Sequence, residues 1–404
     1  AAATEALELT ARRAFLESSV CCGIDVFFGG GPFDFIRQAA AGRLIDSGLK
    51  QQHPEWFQDD VIPATFTGEA YWDPAGLWVG SVLSSYGMIY NRDAYARLGI
   101  AAEPRSWEDL QDPKLQGEVA LCDPTKSSSI AKAFENIIQQ QIQLRWEQLA
   151  TDASRDRASW ESQAVAEGWV NGLRLVQRVG ANARYFTDAA SKIPLDVSLG
   201  DAAIGMCIDF YGRFQSEAVQ VGDKSSRLQY FTPAGGSSVG VDPIGILRGA
   251  PNRAAAEEFI AFVLSLEGQK LWNFKVGTPG GPEKYALRRL PIRKELYAPE
   301  FAAFRSDAEV QPYEEAKLFT YHPKWTAPLF RVMAFIIRVA CLDLHKEQTE
   351  AWQALVAAKF PREAYRAFTN LDAVNYETAR TTLKKALDSK NRIEEVRLAK
   401  ELSD

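Results

Sequence analysis

The sequence predicts an α/β chain with mainly parallel sheets, and three observations carry that prediction. Short apolar runs alternate with segments of helical period up to about residue 295. Several of these runs end in turn-forming residues that open directly into a helix. At 404 residues the chain is also too long for one typical compact domain, so two domains plus additional elements are expected.

In chain order, Ile24, Asp25, Val26, Phe27 and Phe28 form the first short apolar strand, followed by Gly29, Gly30, Gly31 and Pro32. Pro32 suits a first helical turn, residues 33–41 continue it, and Gly42 stops it. Residues 117–122 read as a buried strand, Asp123, Pro124, Thr125 and Lys126 as a turn, and Ser127, Ser128 and Ser129 as the opening of a helix. Ile130, Ala133, Phe134, Ile137 and Ile138 give that helix its apolar face. A third corner runs from the strand at residues 183–186 into Thr187, Asp188 and Ser191, and a fourth from residues 202–209 into Phe210, Tyr211 and Gly212. The run at residues 239–247 contains Asp242-Pro243, and the proline predicts an edge or a bend rather than a central paired position. Asn252 is placed to cap a helix over residues 253–264. Beyond about residue 295 the strands stop and helical patterns take over, ending in a highly charged tail from residue 391.

Two corners carry candidate chemistry. Three hydroxyls at a helix N-terminus, after Asp-Pro-Thr-Lys, can form an anion socket from free N–H groups, the positive end of the helix dipole and Ser or Thr side chains. A plain capping role for the same serines is the alternative. The glycine corner lets backbone approach a bound molecule and adopt positive φ. It is neither a Walker loop nor a G-x-G-x-x-G fingerprint, so a nucleotide site is not expected. In α/β sheets ligands sit beyond the carboxyl ends of strands, the position all these corners share.

Composition narrows the functional classes. Hydrophobic residues at 46 % with 24 % charged residues indicate an ordinary globular chain. A net charge of −6 and the lack of a basic stripe argue against nucleic-acid binding. Ten tryptophans suit core packing, although Trp72 and Trp78 occupy a turn-rich region where an aromatic pocket wall is an alternative. Five cysteines, with Cys21 and Cys22 adjacent, do not suggest a disulfide framework. Three histidines without ligand spacing give no zinc site, and no cofactor or resident metal is expected. There is no unbroken run of eighteen apolar residues. The nearest stretch, residues 329–344, is interrupted by Arg331, Arg338 and Asp343 and reads as an amphipathic or buried helix.

The ordered set of motifs resembles the extracellular solute-binding proteins of ABC importers, in the branch with ferric-iron, thiamine, polyamine and phosphonate binders. The matching stretches are Asp25-Val26-Phe27-Phe28-Gly29-Gly30-Gly31-Pro32, Tyr86-Gly87-Met88-Ile89-Tyr90-Asn91, and Trp107-Glu108-Asp109-Leu110 with Asp112-Pro113-Lys114-Leu115-Gln116-Gly117. They continue through Asp123-Pro124-Thr125-Lys126-Ser127-Ser128-Ser129, Gly200-Asp201-Ala202-Ala203-Ile204-Gly205 and Phe262-Val263-Leu264-Ser265-Leu266-Glu267-Gly268-Gln269-Lys270-Leu271. The resemblance covers about residues 5–295. It implies a two-lobed, periplasmic-binding-protein-like (type II) α/β fold with a helical C-terminal extension. Lobe one is then expected at 1–115 plus 240–290, lobe two at 116–239, and the extension at 291–404. Residues 86–91 and 239–246 are the expected crossover strands.

The implied function is binding without catalysis. A small, anionic solute would be captured in an interlobe cleft by hinge closure, and the closed state presented to a membrane permease. The cleft is expected to be lined by Gly29, Gly30, Gly31, Phe33, Ser84, Ser85, Tyr86, Thr125, Lys126, Ser127, Ser128, Ser129, Thr187, Ser191, Asp209, Tyr211 and Asp242. The protein would be a monomer in the periplasm or on the outer cell surface. The resemblance also implies a strand and helix ahead of residues 5–16, so a signal segment is expected upstream of Ala1.

Three alternatives stay open. Ferric-iron binders of this branch carry neighbouring tyrosines where this chain reads Asp209-Phe210-Tyr211, so a cation would have one phenolate plus Asp34, Asp209 or Asp242. A cleft-cysteine enzyme similar to type I thiaminases would use Cys207, for which an inert buried thiol is the competing reading. A receptor subunit that reports ligand to a membrane sensor would use the helical extension as its contact.

Overall fold

A computed structural model describes residues 2–18, 20, 22–151, 157–220 and 226–403. Cys21 lies outside the described residues. The chain divides into two compact units, Ala1–Ser84 with Val239–Tyr313, and Ser85–Ser238 with Glu314–Asp404. The strands in chain order are β1 (Val26–Phe28), β2 (Leu44–Ile45), β3 (Thr65–Phe66), β4 (Glu69–Ala70), β5 (Val79–Ser84) and β6 (Tyr86–Asn91). They continue as β7 (Val119–Cys122), β8 (Ala183–Thr187), β9 (Ile204–Ile208), β10 (Leu228–Phe231), β11 (Gly240–Leu247) and β12 (Leu290–Pro291).

The first unit carries a sheet of order β1-β11-β5-β12, with β2 also on β11. Every pairing in it is antiparallel, which corrects the expectation of mainly parallel sheets for this half. Its core strand β5 is buried along its whole length. β11 is central, not an edge, and accommodates Pro243 through a register shift between Asp242 and Pro243. The shift puts the residue that lacks an N–H where the ladder is already interrupted. Because β1 and β5 both run opposite to β11, their carboxyl ends lie at one end of the sheet.

The second unit is where parallel pairing appears. Its sheet has the order β10-β6-β9-β7-β8, with β7 parallel to both β8 and β9 and β6 antiparallel to β9. The carboxyl ends of β7, β8 and β9 and the amino end of β6 therefore share one side. Residues 86–91 form β6, a full member of this sheet, so residues 85–115 pack here and not with residues 1–84. By the same reasoning β11 belongs wholly to the first unit's sheet and is not a free crossover strand.

Two long helices, Ser128–Ala150 and Arg157–Asn182, cross closely in the second unit because Gly168 and Gly172 present no side chain. A Cβ at Gly168 would stand 2.4 Å from the Cα of Ile142, and one at Gly172 2.7 Å from that of Ile138. The expected separate extension is divided: residues 291–313 join the first unit, and residues 314–404 fold onto the two long helices. Trp325, Leu329, Val332, Phe335 and Ile336 close over Ile138, Ile142, Trp169 and Leu173. Among the described residues one helix, Pro323–Asp343, is long and apolar enough by composition to cross a membrane, but 61 % of its most apolar stretch is buried in this core.

A buried polar stripe fastens the 128–150 helix to its surroundings, as buried polar groups require partners. Glu135 accepts from the hydroxyls of Tyr321 (2.9 Å) and Thr326 (2.6 Å) and pairs with Lys132 (2.9 Å). Gln139 donates to His322 O and Thr326 Oγ1 and accepts from His322 N–H. Asn136 accepts from the Ser238 hydroxyl at 3.3 Å, and Gln140 donates to Gly235 O at 3.2 Å. One helix thus anchors both residues 235–238 and the start of the C-terminal region.

Candidate functional site

The hydroxyl corner of the second unit is built on the wholly buried strand β7. Asp123 follows it, and its N–H donates to Thr187 O at 2.9 Å, tying the ends of β7 and β8 together. Its Oδ1 accepts from the N–H (2.8 Å) and the hydroxyl (2.6 Å) of Thr125. This is an Asx turn, a local alternative to secondary structure that Asp favours. Thr125 thus donates its hydroxyl proton to Asp123. Ser127 is the N-cap of the helix, its Oγ accepting from Ile130 N–H at 3.4 Å and lying 3.1 Å from Ser129 Oγ. Two of the serine hydroxyls therefore converge, while Ser128 stands exposed at the first helical position. Ser128 and Ser129 fall at the first two helical positions, whose N–H groups have no intrahelical acceptor. Lys126 is exposed beside this corner.

On the same side of the sheet, Thr187 ends β8 opposite Cys122, and its hydroxyl donates to Ala189 O at 3.0 Å. Ser191 is exposed at the start of Lys192–Leu199 and makes no capping bond. Ser85 is buried, its carbonyl accepting from Asp209 N–H and its hydroxyl lying 3.1 Å from that of Thr232. Thr232 in turn lies 3.2 Å from the Tyr230 hydroxyl. Tyr86 pairs with Ile208, and its N–H donates to Ser237 Oγ at 2.9 Å. Sequence reasoning missed Asp123, Tyr230, Thr232 and Ser237. Of these only Asp123 carried a local signal, the Asx-Pro-Thr turn pattern.

Asp209 is almost fully buried and binds Arg213 one helical turn on, at 2.7 Å, while Oδ1 accepts from Phe210 N–H. A guanidinium thus already engages the carboxylate that the cation alternative would use. Tyr211 is partly exposed and packs against Phe210 at 4.3 Å. Cys207 is fully buried in β9, and burial first, then the Asp209 charge, pushes its thiol well above the ordinary range. That environment suits an inert thiol, not a nucleophile. Among the described residues no three His, Cys, Asp or Glu side chains gather as a metal would need.

The first unit groups its own candidates at the shared carboxyl end of β1 and β5. Gly29 and Gly30 take φ of 85° and 92°, and a Cβ on either, or on Gly31, would meet no atom within 4 Å. Gly29 N–H donates to Pro243 O at 2.9 Å, which puts the corner next to Asp242. Asp242 is bound by Arg289, so its carboxylate too is committed. Phe33 lies under the Arg37 guanidinium, 5.5 Å from its ring. Asp34 stands in the first turn of Pro32–Ala40, where a carboxylate favours the dipole. Ser84 ends β5 with its hydroxyl buried and without a hydrogen-bond partner among the described residues.

The family profile described as "Bacterial extracellular solute-binding protein" matches residues 24–307. A Haemophilus influenzae protein, itself named only as uncharacterized, is 28 % identical over 251 residues, 61 % of this chain and 60 % of that protein. The phosphoglycerate transport regulatory protein PgtC of Salmonella typhimurium is 21 % identical over 193 residues, 48 % of this chain and 40 % of that protein. The chain thus spans 60 % and 40 % of the lengths of these two relatives. Among solved structures, the spermidine/putrescine ABC transporter substrate-binding protein PotD of Streptococcus pneumoniae matches with a TM-score of 0.50. That match has 14 % identity, covers 82 % of this chain and 88 % of that one, and speaks to the fold alone.

Proposed function

The chain belongs to the bacterial extracellular solute-binding protein family, and on that premise we propose that it captures a small anionic solute for an ABC importer, breaking no bond. The observation that carries the anionic assignment is the pair of converging hydroxyls, Ser127 and Ser129, at the amino end of a 23-residue helix and the carboxyl end of a buried strand. Backbone N–H groups, the dipole and hydroxyl donors there favour an oxyanion such as a phosphate, phosphonate or carboxylate. From this corner to Ser85 and Thr232 the sheet advances two to three strand spacings, roughly 10–14 Å, which suits a small organic anion. The name of the Salmonella relative, which refers to phosphoglycerate transport, is consistent with a phosphorylated solute. In this reading the protein acts as a monomer in the periplasm or on the outer cell surface, and its partner is a membrane permease.

Calorimetric titration of wild type and Ser128→Asp with the solute that co-purifies under native conditions tests the assignment. A carboxylate at the first helical position, exposed and so tolerated by the fold, should weaken binding at least about tenfold, the worth of one charge-assisted bond. Equal affinities would reduce the serines to a helix cap and move the reading to a cation held near Tyr211.

A further inference from the structure

At the other end of the second unit's sheet lies a hollow that this reading does not use. β6 runs from Tyr86, beside the candidate solute site, to Tyr90, about 13 Å further along the strand. Tyr90 lines an open hollow of about 470 Å³ together with Tyr95, Ala96 and the loop through Ile100, Ala101 and Ala102. A volume of this size is that of a small-molecule pocket. One corner is polar: Arg92 donates to Glu103 at 3.1 Å, and Tyr90 lines the same hollow. Glu103 is the last lining residue of a loop that opens at Gly99, which takes φ of 65° and has open space where a side chain would stand.

We propose that this hollow is a second binding site, for a small organic carboxylate with an apolar or aromatic body, and that Glu103 occupies its carboxylate position when it is empty. The chemistry follows from the lining. Arg92 is a donor already aimed at a carboxylate, and a planar guanidinium matches that group. Both partners of the ion pair are largely solvent-exposed, so exchanging the Glu103 carboxylate for a ligand's replaces a weak surface contact by an equivalent one. What an incoming molecule adds is burial of its apolar body against the accessible part of the lining, Ile100, Ala101 and Ala102. The site is independent of the solute assignment at Ser127 and Ser129, from which it is separated by the length of the strand.

The test uses the full chain and 3-phenylpropionate, with 3-phenylpropionamide as its neutral counterpart, followed by ligand-detected NMR titration. Glu103→Gln removes the competing charge and should bind the acid several-fold more tightly than wild type, with no gain for the amide. Arg92→Gln should lose about tenfold in affinity for the acid. The effects of Glu103→Gln and Arg92→Gln should persist in the Ser128→Asp background, which separates failure here from failure of the solute assignment. Both pocket positions are exposed, and an unchanged melting temperature verifies that the variants fold. Absence of binding to Glu103→Gln at millimolar acid, or affinities for acid and amide that do not respond to Arg92→Gln, would overturn the proposal.

Discussion

The glycine corner of the first unit and the hydroxyl corner of the second occupy the same place at the carboxyl ends of their strands, yet are held in opposite ways. Gly29 and Gly30 keep their shape by φ values open to few other residues, with nothing above them and one backbone bond to Pro243. Residues 123–129 keep theirs by side-chain bonds, Asp123 to Thr125 and Ser127 to Ile130, with Asp123 also bridging to β8. The first corner should resist loss of polar groups and reject any Cβ; the second should do the reverse. The same contrast runs through the units as wholes. The first has an antiparallel sheet, while the second depends on a helical layer brought from the end of the chain.

The strongest way to break this contrast is to end the chain at Tyr313. That uncovers Ile138, Trp169 and Leu173, and the second unit should lose cooperative unfolding, read by circular dichroism and size-exclusion chromatography. A monomeric product with an undiminished transition would show that the layer is dispensable. Within the layer, Trp169 is fully buried and donates to Val374 O, so Trp169→Ala should cost about 3–5 kcal/mol in denaturant melts.

A step smaller is the pair of committed aspartates. Removing Asp209 breaks a nearly buried ion pair with Arg213, and Asp209→Ala should cost about 3 kcal/mol or more. Asp242 and Arg289 are more open to solvent, and Asp242→Ala should cost less than half as much. Equal losses by urea denaturation would contradict the difference in burial.

The corners themselves give the next test. Gly30→Ala forces a side chain to φ of 92° and should destabilise by about 1–2 kcal/mol, whereas Ser127→Ala removes one long capping bond and should cost about 1 kcal/mol or less. A Gly30→Ser variant that melts as wild type does would refute the conformational account of the glycines.

Alkaline titration sharpens the comparison last. Burial raises the thiol of Cys341 to about 12, and that of Cys207 also lies above its ordinary value near 9. The folded state holds these protons while the unfolded chain releases them, so their contribution is complete below about pH 9. It is lost progressively as pH rises from there toward the folded value. Both thiols belong to the second unit, and exposed Cys22 should alkylate far faster than either at pH 8. Rapid labelling of Cys207 in the native protein would reopen the nucleophile reading.

Sequence alone determined the local pieces. β7, β8, β9 and the helices at 128–150 and 253–264 were legible because apolar period, turn residues and cap residues act within a few positions. The order of the corners also carried the family. Asn252 shows where such reading stops: it stands at the N-cap, but its side chain bonds to Asp25, 227 positions away. Tertiary structure decided which charge meets which, as when Arg289 reaches Asp242 across 47 residues. It also decided that the first sheet is antiparallel and that residues 314–404 belong to the second unit. Periodicity reports which face of an element is buried but not what buries it, and a polar side chain's availability depends on a partner supplied by long-range register.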